Sequence, residues 1–583
     1  MAEHKVPLSA ADTVIVNGNV ITVDADFSKA QALAIKGNKI VAVGANDEVM
    51  ALASSHTKVL DLDGGTVIPG IIDPHAHIGL FGMEEHFVKL DGARSVREIC
   101  DRIRERARQL PAGTVIVTTP VGDHPYFFNV PGILEEGRFP TRQELDEAAP
   151  DHPVYITAPT NRIPNSAVFN SLAFKLAGIT ADSVPPGNPN RVQIRKDAYW
   201  LDGIEIPRDH VTGEPIGELR TMNPLYPQSS YFDIITNFVP KPTYEFVREG
   251  IRMLAPDFLS LGTTTLLENH LTSPEELRAY AELDLPLRVF CTVELDPNRP
   301  MAELEQLVRS IAFASGRGFG NDRVGISGVS IGLDGPHWQG TAVLDEPYMG
   351  PFGDLVSPGP LAPVEAYRAV VRLAAQHGLR IHGEAAGRGS VQIFLDTMAK
   401  LDREAPIADR RFILEHCEFP TREQIAECKR LGIVPTTATN FIWGKGAEVY
   451  LDRLGKEYAE NAIPLRWWLD AGVPVCQETD WGPRSPMFTI WQSIARQAGL
   501  TGEVIGPHQS ISREEALRIF TINGAYALFM EDKLGSIETG KLADLAILSA
   551  DPMTCAEDDI KDIEVVATLV DGEVVHARDG FPA

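Results

Sequence analysis

The chain has few cysteines and no cluster of positive charge, and these absences exclude several protein classes. Its six cysteines, at positions 100, 291, 417, 428, 476 and 555, show no CxxC spacing. This argues against a disulfide framework or a structural zinc knuckle. Lys and Arg number 53 against 80 Asp and Glu, so the formal net charge is −27. An acidic chain without a basic stripe is not expected to bind nucleic acid or an anionic membrane surface.

Long apolar runs are missing as well. No stretch approaches the ~20 apolar residues that a membrane-spanning helix needs. The first residues do not combine positive charge with an apolar core, as a signal peptide would. Together with the scattered cysteines, this predicts a protein of the reducing cytoplasm. A length of 583 residues, with 44% hydrophobic and 23% charged residues, is typical of a globular enzyme with more than one substructure.

Short β-rich runs occupy both ends of the chain, separated by Asn-Gly, Gly-Asn and Asp-Gly turns. They cover residues 13–22, 31–36, 39–43, 544–548 and 563–576. Strands of this type at both termini predict a composite β-sandwich domain formed by residues 1–69 and 534–583, because domain termini often lie close together.

Between the two ends, apolar strand-like runs alternate with helical patterns, which is typical of a parallel sheet with crossover helices. The eight runs predicted as strands are 71–77, 263–268, 287–293, 328–334, 379–384, 411–416, 432–437 and 473–480. Eight such units predict an α/β fold with a (β/α)8 TIM barrel over residues 70–533. The interval after the first strand is too long for one helix, so an inserted cap is predicted from about residue 85 to 240.

The first of these strands ends in Gly-Ile-Ile-Asp-Pro-His-Ala-His, residues 70–77. Side chains alternate along a strand, so His75 and His77 project to the same side, where two imidazoles can bind a divalent cation. An isolated pair of this kind is as often two hydrogen-bonded residues at a strand end. However, His382, His416 and Asp480 lie at the ends of three other predicted strands, the edge at which barrel active sites form. The five residues together predict a metal site.

The chain resembles the amidohydrolase superfamily and, within it, amidohydrolase family 3, the branch that includes N-substituted formamide deformylase-like proteins. The matching segments are PGIIDPHAH at 69–77, PTRQELDEAAPDHPVYI at 140–156, GEPIGELR at 213–220, LDGPHWQGTA at 333–342, FILEHCE at 412–418 and LGSIETGKLADLAIL at 534–548. The resemblance implies that the metal ligands are His75, His77, His382, His416 and Asp480. It also implies that Asp480 is the proton shuttle, and it suggests a homodimer.

The chain departs from the family pattern at the fourth strand. Relatives with two metals place a carboxylated lysine there, whereas this chain has Ser330. A serine hydroxyl cannot form a carbamate, so a carbamate-bridged pair of ions is not expected. Either one ion binds, or a carboxylate from the second strand substitutes, and Glu268 is the candidate for that role. The alternative for Glu268 is a hydrogen-bonded strand-end residue.

Aromatic and polar side chains near predicted loops indicate a substrate pocket, although each taken singly is as well explained by loop packing. They are Trp338, His337, Trp443, Trp481 and Phe127. Linings of this kind are usual for small-molecule sites, so a hydrophobic or aromatic substrate is expected.

The sequence therefore predicts a metal-dependent hydrolase. It would cleave a C–N bond in an amide, N-substituted formamide, carbamate or cyclic amide by metal-activated water, with Asp480 moving the proton. Zinc is the favoured ion, as one or two ions, although iron, manganese and cobalt also suit these ligands. A deaminase or an ester or lactone hydrolase on the same fold remains an alternative, as does a non-catalytic barrel with a degraded metal site.

Overall fold

The centre of the molecule is a sheet of eight parallel strands that follow one another in sequence order. The computed structural model describes residues 10–159, 161–162, 165–179, 191–192, 204–207, 209, 211–220, 235, 237–272, 274–315, 321–351 and 353–582. The eight strands are β8 (Ile71–Ala76), β15 (Thr263–Leu271), β16 (Arg288–Glu294), β17 (Val324–Gly332), β20 (Ile381–Ala385), β21 (Ile413–His416), β22 (Val434–Thr437) and β23 (Cys476–Gln477).

The last strand lies beside the first, so the sheet is a nearly closed barrel. The backbone amide of Asp480 donates to the carbonyl of His75 at 3.1 Å. The amide and hydroxyl of Thr479 both donate to the carboxylate of Asp73, at 3.2 and 2.5 Å. The predicted α/β fold with a nearly closed barrel of eight parallel strands is therefore confirmed. The last strand is shorter than the predicted 473–480, because Pro474 has no amide for the ladder and Asp480 is left-handed, with φ 50°.

Helices connect most of these strands and flank them. In chain order the α-helices are α1 (Asn46–Met50), α2 (Ile78–Glu84), α3 (Val96–Ala107), α4 (Arg142–Ala148), α5 (Ser171–Ala177), α6 (Tyr244–Ser260), α7 (Pro274–Leu283), α8 (Met301–Ser315), α9 (Val364–Gln376), α10 (Arg388–Glu404), α11 (Arg422–Leu431), α12 (Asn440–Lys445), α13 (Lys456–Glu460), α14 (Leu465–Asp470), α15 (Pro486–Ala495), α16 (Arg513–Ile519) and α17 (Ile522–Ala527). A π-helix, Gly446–Leu454, follows α12. None of the helices in the described part of the chain combines the length and apolar character needed to cross a bilayer.

The helix between β21 and β22 shows how local sequence sets these boundaries. The hydroxyl of Thr421 accepts from the amide of Gln424, whose side chain accepts from the amide of Thr421 in return, which satisfies two otherwise unpaired donors. Gly432 ends the helix with φ 66°, a conformation that glycine adopts without strain. Ile425, Cys428 and Leu431 on one face are buried.

Strands from both ends of the chain form two further sheets. One contains β1 (Thr13–Val16), β4 (Ala32–Lys36), β5 (Lys39–Gly44) and β6 (Lys58–Asp61). The other contains β2 (Asn19–Ile21), β3 (Lys29–Ala30), β7 (Thr66–Pro69), β24 (Leu545–Leu548), β25 (Val565–Val570) and β26 (Glu573–Ala577). Because β7 pairs with β24, residues about 480 positions apart share one sheet. Ile15, Leu33, Val67 and Leu545 belong to the apolar core of these strands.

The segment after β8 carries a sheet of its own and a two-stranded ribbon lies further along the chain. The sheet contains β9 (Ile116–Thr118), β10 (Val154–Ile156), β11 (Ser166–Phe169), β12 (Arg191–Val192), β13 (Ile204–Glu205) and β14 (Glu218–Arg220). The ribbon pairs β18 (Tyr348–Met349) with β19 (Leu355–Val356). Much of the predicted cap, notably residues 180–190, 193–203 and 221–234, lies outside the described residues.

A glycine pair brings α2 close to α6, directly after the first-strand histidines. A Cβ on Gly82 would lie 2.6 Å from the carbonyl carbon of Gly250, and a Cβ on Gly250 would lie 2.4 Å from the carbonyl oxygen of Gly82. These distances are shorter than van der Waals contact, so any other residue would push the helices apart. The start of α2, and hence the position of His77, depends on this close packing.

Candidate metal centre

Two histidines and one aspartate point side-chain donors at a common centre. Nε2 of His75 lies 3.2 Å from Nε2 of His77, and Oδ1 of Asp480 lies 3.0 Å from His77 Nε2 and 3.9 Å from His75 Nε2. The centre of this triangle is about 2.0 Å from all three atoms, the bond length that zinc makes with imidazole and carboxylate. The donor set and its spacing therefore fit a divalent ion.

Electrostatics hold His75 neutral and Asp480 ionised. Burial and the neighbouring imidazoles hold the pKa of His75 well below its ordinary value, so the ring is neutral. Its Nδ1 accepts from the amide of Asn269, so the ring proton lies on Nε2 and must leave before Nε2 binds an ion. Burial raises the pKa of Asp480, but the hydrogen bond from His77 and the nearby charges of His416 and Lys445 outweigh burial and lower it overall. Asp480 is therefore a carboxylate at neutral pH.

His416 lies beside this triangle and is oriented by Glu478. The rings of His416 and His75 have their centroids 4.7 Å apart. Nδ1 of His416 donates to Oε1 of Glu478 at 2.9 Å, and the Glu478 side chain is fully buried. Burial lowers the pKa of His416, but the Glu478 carboxylate outweighs burial and raises that pKa well above its ordinary value, so Nε2 can bind a metal only after the ring loses a proton.

A second group of donors also lies beside His75, whose ring centroid is 5.4 Å from that of His270. Nδ1 of His270 donates to Oε2 of Glu294 at 2.8 Å, and its Nε2 lies 3.4 Å from Oε2 of Glu415. Burial raises the pKa of Glu415 to about 8. Neither of its oxygens accepts a hydrogen bond from another described residue. Three donor triads share His75: one with His77 and Asp480, one with His416 and Glu478, and one with His270 and Glu415.

The structure places the other predicted ligands differently. Nε2 of His382 lies 3.2 Å from the hydroxyl of Ser327, its Nδ1 lies 3.3 Å from Oε1 of Glu415, and it belongs to none of the three triads found among the described residues. Glu268 accepts from the amides of Ile78 and Gly79, at 2.6 and 3.1 Å. Its carboxylate thus caps the start of α2, the alternative raised for it from the sequence.

Ser330, which stands on the fourth barrel strand where relatives have a lysine, belongs to a network of polar side chains. The hydroxyl of Thr292 contacts the hydroxyl of Ser330 at 3.2 Å and the side-chain oxygen of Asn269 at 3.2 Å. The amide nitrogen of Asn269 lies 2.7 Å from Nδ1 of His75. Ser330 therefore supports the orientation of His75 through two intervening side chains.

Three residues at this site have left-handed backbone. His270, His416 and Asp480 have φ values of 63°, 65° and 50°. Left-handed backbone costs a non-glycine residue of order 1–3 kcal/mol, and such residues cluster at functional sites. The strain has a structural consequence, because it breaks strand alternation and lets Glu415 and His416, which are consecutive, both contact the site.

Two of the predicted pocket residues line a cavity of about 220 Å³ next to the triad, and three do not. Trp338 and Trp481 form part of its wall, together with Tyr126 and Lys445. His337 instead packs behind the wall, with Nδ1 3.1 Å from Oε2 of Glu418.

Trp443 and Phe127 are among the aromatic residues packed around the cavity without lining it. The ring of Trp443 meets those of Phe488 and Trp491, each at a centroid distance of 5.4 Å. The ring of Phe127 lies 5.9 Å from that of His124.

A model of the amidohydrolase family matches residues 58–576. The chain belongs to the amidohydrolase family. It is 28% identical over 584 residues to N-substituted formamide deformylase of Arthrobacter pascens, covering 98% of this chain and 99% of that protein. The predicted family is therefore confirmed.

Solved structures resemble this amidohydrolase in fold. An uncharacterised metal-dependent hydrolase from Pyrococcus furiosus matches 93% of this chain and 100% of its own, with TM-score 0.69 and 24% identity. An adenosine deaminase from Xanthomonas campestris with bound zinc matches 99% and 95%, with TM-score 0.52 and 14% identity. Both solved structures share the fold of this chain along almost its whole length.

Sequence reasoning did not identify three residues of this region as candidates: Glu415, Glu478 and Lys445. Glu478 precedes Asp480 by two positions, so strand alternation could have found it. Glu415 directly precedes His416, and alternation would place it on the opposite face. Lys445 ends α12 after a short apolar run and carries no sequence signal of its own.

Proposed function

We propose that this amidohydrolase uses one divalent ion, with zinc favoured, to hydrolyse the C–N bond of a small amide, and that N-substituted formamides are the first class to test. The donor triangle of His75, His77 and Asp480 is the observation that carries the proposal. The similarity to a formamide deformylase along almost the whole chain supports the choice of substrate class. A single ion is proposed because Ser330 cannot supply a bridging carbamate.

The roles proposed for the side chains follow from their protonation states. A bound divalent ion would lower the pKa of its water from 15.7 to about 7 and polarise the amide carbonyl. Asp480, as a carboxylate, accepts the proton from the attacking water and returns it to the departing nitrogen. Water thus adds to the carbonyl carbon, the C–N bond breaks, and a carboxylic acid and an amine leave. His416, oriented by Glu478, faces the same region and donates to the carbonyl oxygen or binds the ion.

We also propose the domain arrangement expected from the sequence. The two sheets with strands from the chain ends would form a composite β-sandwich, and the segment after β8 would form a cap. The presence of Tyr126 in the cavity wall supports a cap that contributes to the substrate site.

The test is hydrolysis of a panel by metal-loaded protein, with amine and formate release followed separately. N-benzylformamide, an aromatic carbamate, a cyclic amide, an aromatic ester and an aminopurine cover the alternatives. Amine and formate are expected from the formamide in equal amounts. Asp480→Asn is expected to lower kcat by about 10²–10⁴-fold, the usual contribution of a general base. Asp257→Asn, which removes an exposed carboxylate paired with Arg484, is the matched control.

Other outcomes would assign another reaction. Ammonia from the aminopurine without amine from the amides would indicate a deaminase, and cleavage of the ester alone would indicate an ester hydrolase. Stoichiometric metal with no turnover of any compound would contradict the proposal.

A further inference from the structure

The cavity of about 220 Å³ is walled by both the inserted segment and the barrel. Tyr126, Asn161 and Arg162 come from the segment after β8, and Trp338, Lys445 and Trp481 come from loops and helices of the barrel. Trp481 directly follows Asp480 in the chain. A ligand in this cavity therefore lies next to the residue proposed to move the proton.

Lys445 is a buried amine without a hydrogen-bond acceptor among the described residues. The residue is 3% exposed, and Nζ has no hydrogen-bond partner within the described chain. Nζ lies 2.9 Å from the ring centroid of Trp338, 3.8 Å from that of Phe441 and 4.2 Å from that of Trp481. Aromatic faces attract a cation, but they do not replace the hydrogen bonds that an ammonium group makes in water. Lys445 thus has donors to offer to a ligand.

The nearby carboxylates are already bound elsewhere. Glu418 accepts from the hydroxyl of Tyr450 at 2.9 Å and lies 3.1 Å from Nδ1 of His337. Asp480 pairs with His77 at 3.0 Å. Burial lowers the pKa of Lys445 well below its ordinary value, while Glu418 and Asp480 act in the opposite direction. An anion beside Nζ would favour the charged form further.

The wall of the cavity carries basic side chains although the protein as a whole is acidic. They are Lys445, Arg162 and Arg453, of which both arginines have partners, and none of the described residues that line the cavity is acidic. The chain has a formal net charge of −27. Arg453 is held by donating from Nη1 to the backbone oxygen of Trp338 at 2.8 Å. A concave surface lined by one sign of charge concentrates ligands of the opposite sign.

We propose that Lys445 binds a carboxylate on the substrate, so that the preferred amides carry both an aromatic or apolar group and an acidic group. The aromatic rings of Trp338, Trp481 and Tyr126 would contact the apolar part, and the ammonium group of Lys445 the carboxylate. The reaction in this inference rests on the proposed function, but the binding of the anion does not. N-formyl amino acids with aromatic side chains are the simplest compounds of this class.

Binding and turnover are tested separately. Titration calorimetry compares 3-phenylpropanoate with the neutral 3-phenylpropan-1-ol, using metal-loaded and metal-free protein so that binding of the carboxylate to the ion is recognised. Turnover compares N-formylphenylalanine, as both enantiomers, with N-(2-phenylethyl)formamide, which has the same skeleton without the carboxylate. The variants are Lys445→Met, which keeps the length and removes the charge, and Lys456→Met, which removes an exposed lysine of α13.

Wild type and Lys456→Met are expected to bind the acid about 10- to 100-fold more tightly than the alcohol, the contribution of a hydrogen bond to a charged group. Lys445→Met is expected to remove that preference and to lower kcat/KM for N-formylphenylalanine by about 10- to 100-fold more than kcat/KM for the uncharged formamide. Thermal unfolding of Lys445→Met checks that it folds.

The two proposals fail in different ways. Lys445-dependent binding of the acid without hydrolysis of either formamide would support the anion site and contradict the proposed function. Hydrolysis of both formamides with equal efficiency, in wild type and in Lys445→Met, would overturn the anion site alone. Tighter binding of the acid that persists in Lys445→Met would overturn it as well.

Discussion

Replacing Glu478 tests whether a side chain that does not contact the ion controls the metal site. Its carboxylate accepts from Nδ1 of His416 at 2.9 Å, inside the barrel and without exposure to solvent. Glu478→Gln keeps the shape and an acceptor oxygen but removes the charge. Glu478→Ala removes the acceptor and leaves His416 free to rotate.

The expected losses can be worked out from this one contact. A hydrogen bond to a charged group contributes about 1.5–3 kcal/mol and one between neutral groups about 0.5–1.5 kcal/mol. Glu478→Gln replaces the hydrogen bond to a charged group by one between neutral groups. The difference between the two contributions is about 1–1.5 kcal/mol, which corresponds to roughly a tenfold loss of metal affinity. Glu478→Ala loses the whole contribution, about 1.5–3 kcal/mol or roughly 10- to 150-fold in metal affinity, which overlaps the range of about 10- to 100-fold for side chains that orient metal ligands.

Metal affinity is measured by competition with a chromophoric chelator. Glu294→Gln is the matched control, because Glu294 binds Nδ1 of His270 at 2.8 Å in the same way but serves the second donor group. The graded loss is expected for Glu478 variants and little change for Glu294→Gln. Unchanged affinity in Glu478→Ala would refute this reasoning, and a larger loss in Glu294→Gln would place the ion beside Glu415.

Two further substitutions test the supports of the site. Arg288→Met leaves the buried Asp544 without its cation, which lies 2.7 Å away, whereas Asp571 keeps its contact with Arg323 at 2.8 Å. Unfolding in urea should show a loss of about 3–5 kcal/mol, the cost of breaking a buried ion pair, and an unchanged midpoint would contradict this. Glu268→Gln removes one of two acceptors for the amides at the start of α2 and should cost about 1–3 kcal/mol with metal stoichiometry intact. Loss of the ion at unchanged stability would instead make Glu268 a ligand.

The barrel was predictable because its strands are apolar runs that end in polar residues. β8 shows this clearly: the strand Ile71–Ala76 is buried along its whole length, and His75 and His77 follow from alternation on one face. The predicted shared face of the two histidines corresponds to nitrogen atoms 3.2 Å apart.

The remaining features depend on the backbone leaving the regular strand conformation. Alternation assumes extended backbone, whereas His416 and Asp480 are left-handed and redirect the side chains around them. Glu415 therefore reaches the site against the pattern. Glu268, two residues before the left-handed His270, turns instead to the amides of α2. Such conformations are imposed by tertiary packing and have no signature in the local sequence.

Lys445 shows a different limit. Its surroundings are formed by Trp338, Phe441 and Trp481, of which two are distant in sequence, so their convergence on one ammonium group depends on the closed barrel. The aromatic residues were predicted to form a pocket, but the cation at its centre could not be inferred from its neighbours in the chain.

The central claim is that His75, His77 and Asp480 bind one divalent ion. X-ray absorption spectroscopy of protein loaded with one equivalent of zinc, compared with Asp480→Asn, measures this most directly. The account predicts two imidazole nitrogens, or three when His416 also binds, and one carboxylate oxygen at about 2.0–2.2 Å, with the oxygen contribution reduced in the variant. Failure to retain one equivalent of zinc, or a shell identical in wild type and Asp480→Asn, would contradict it.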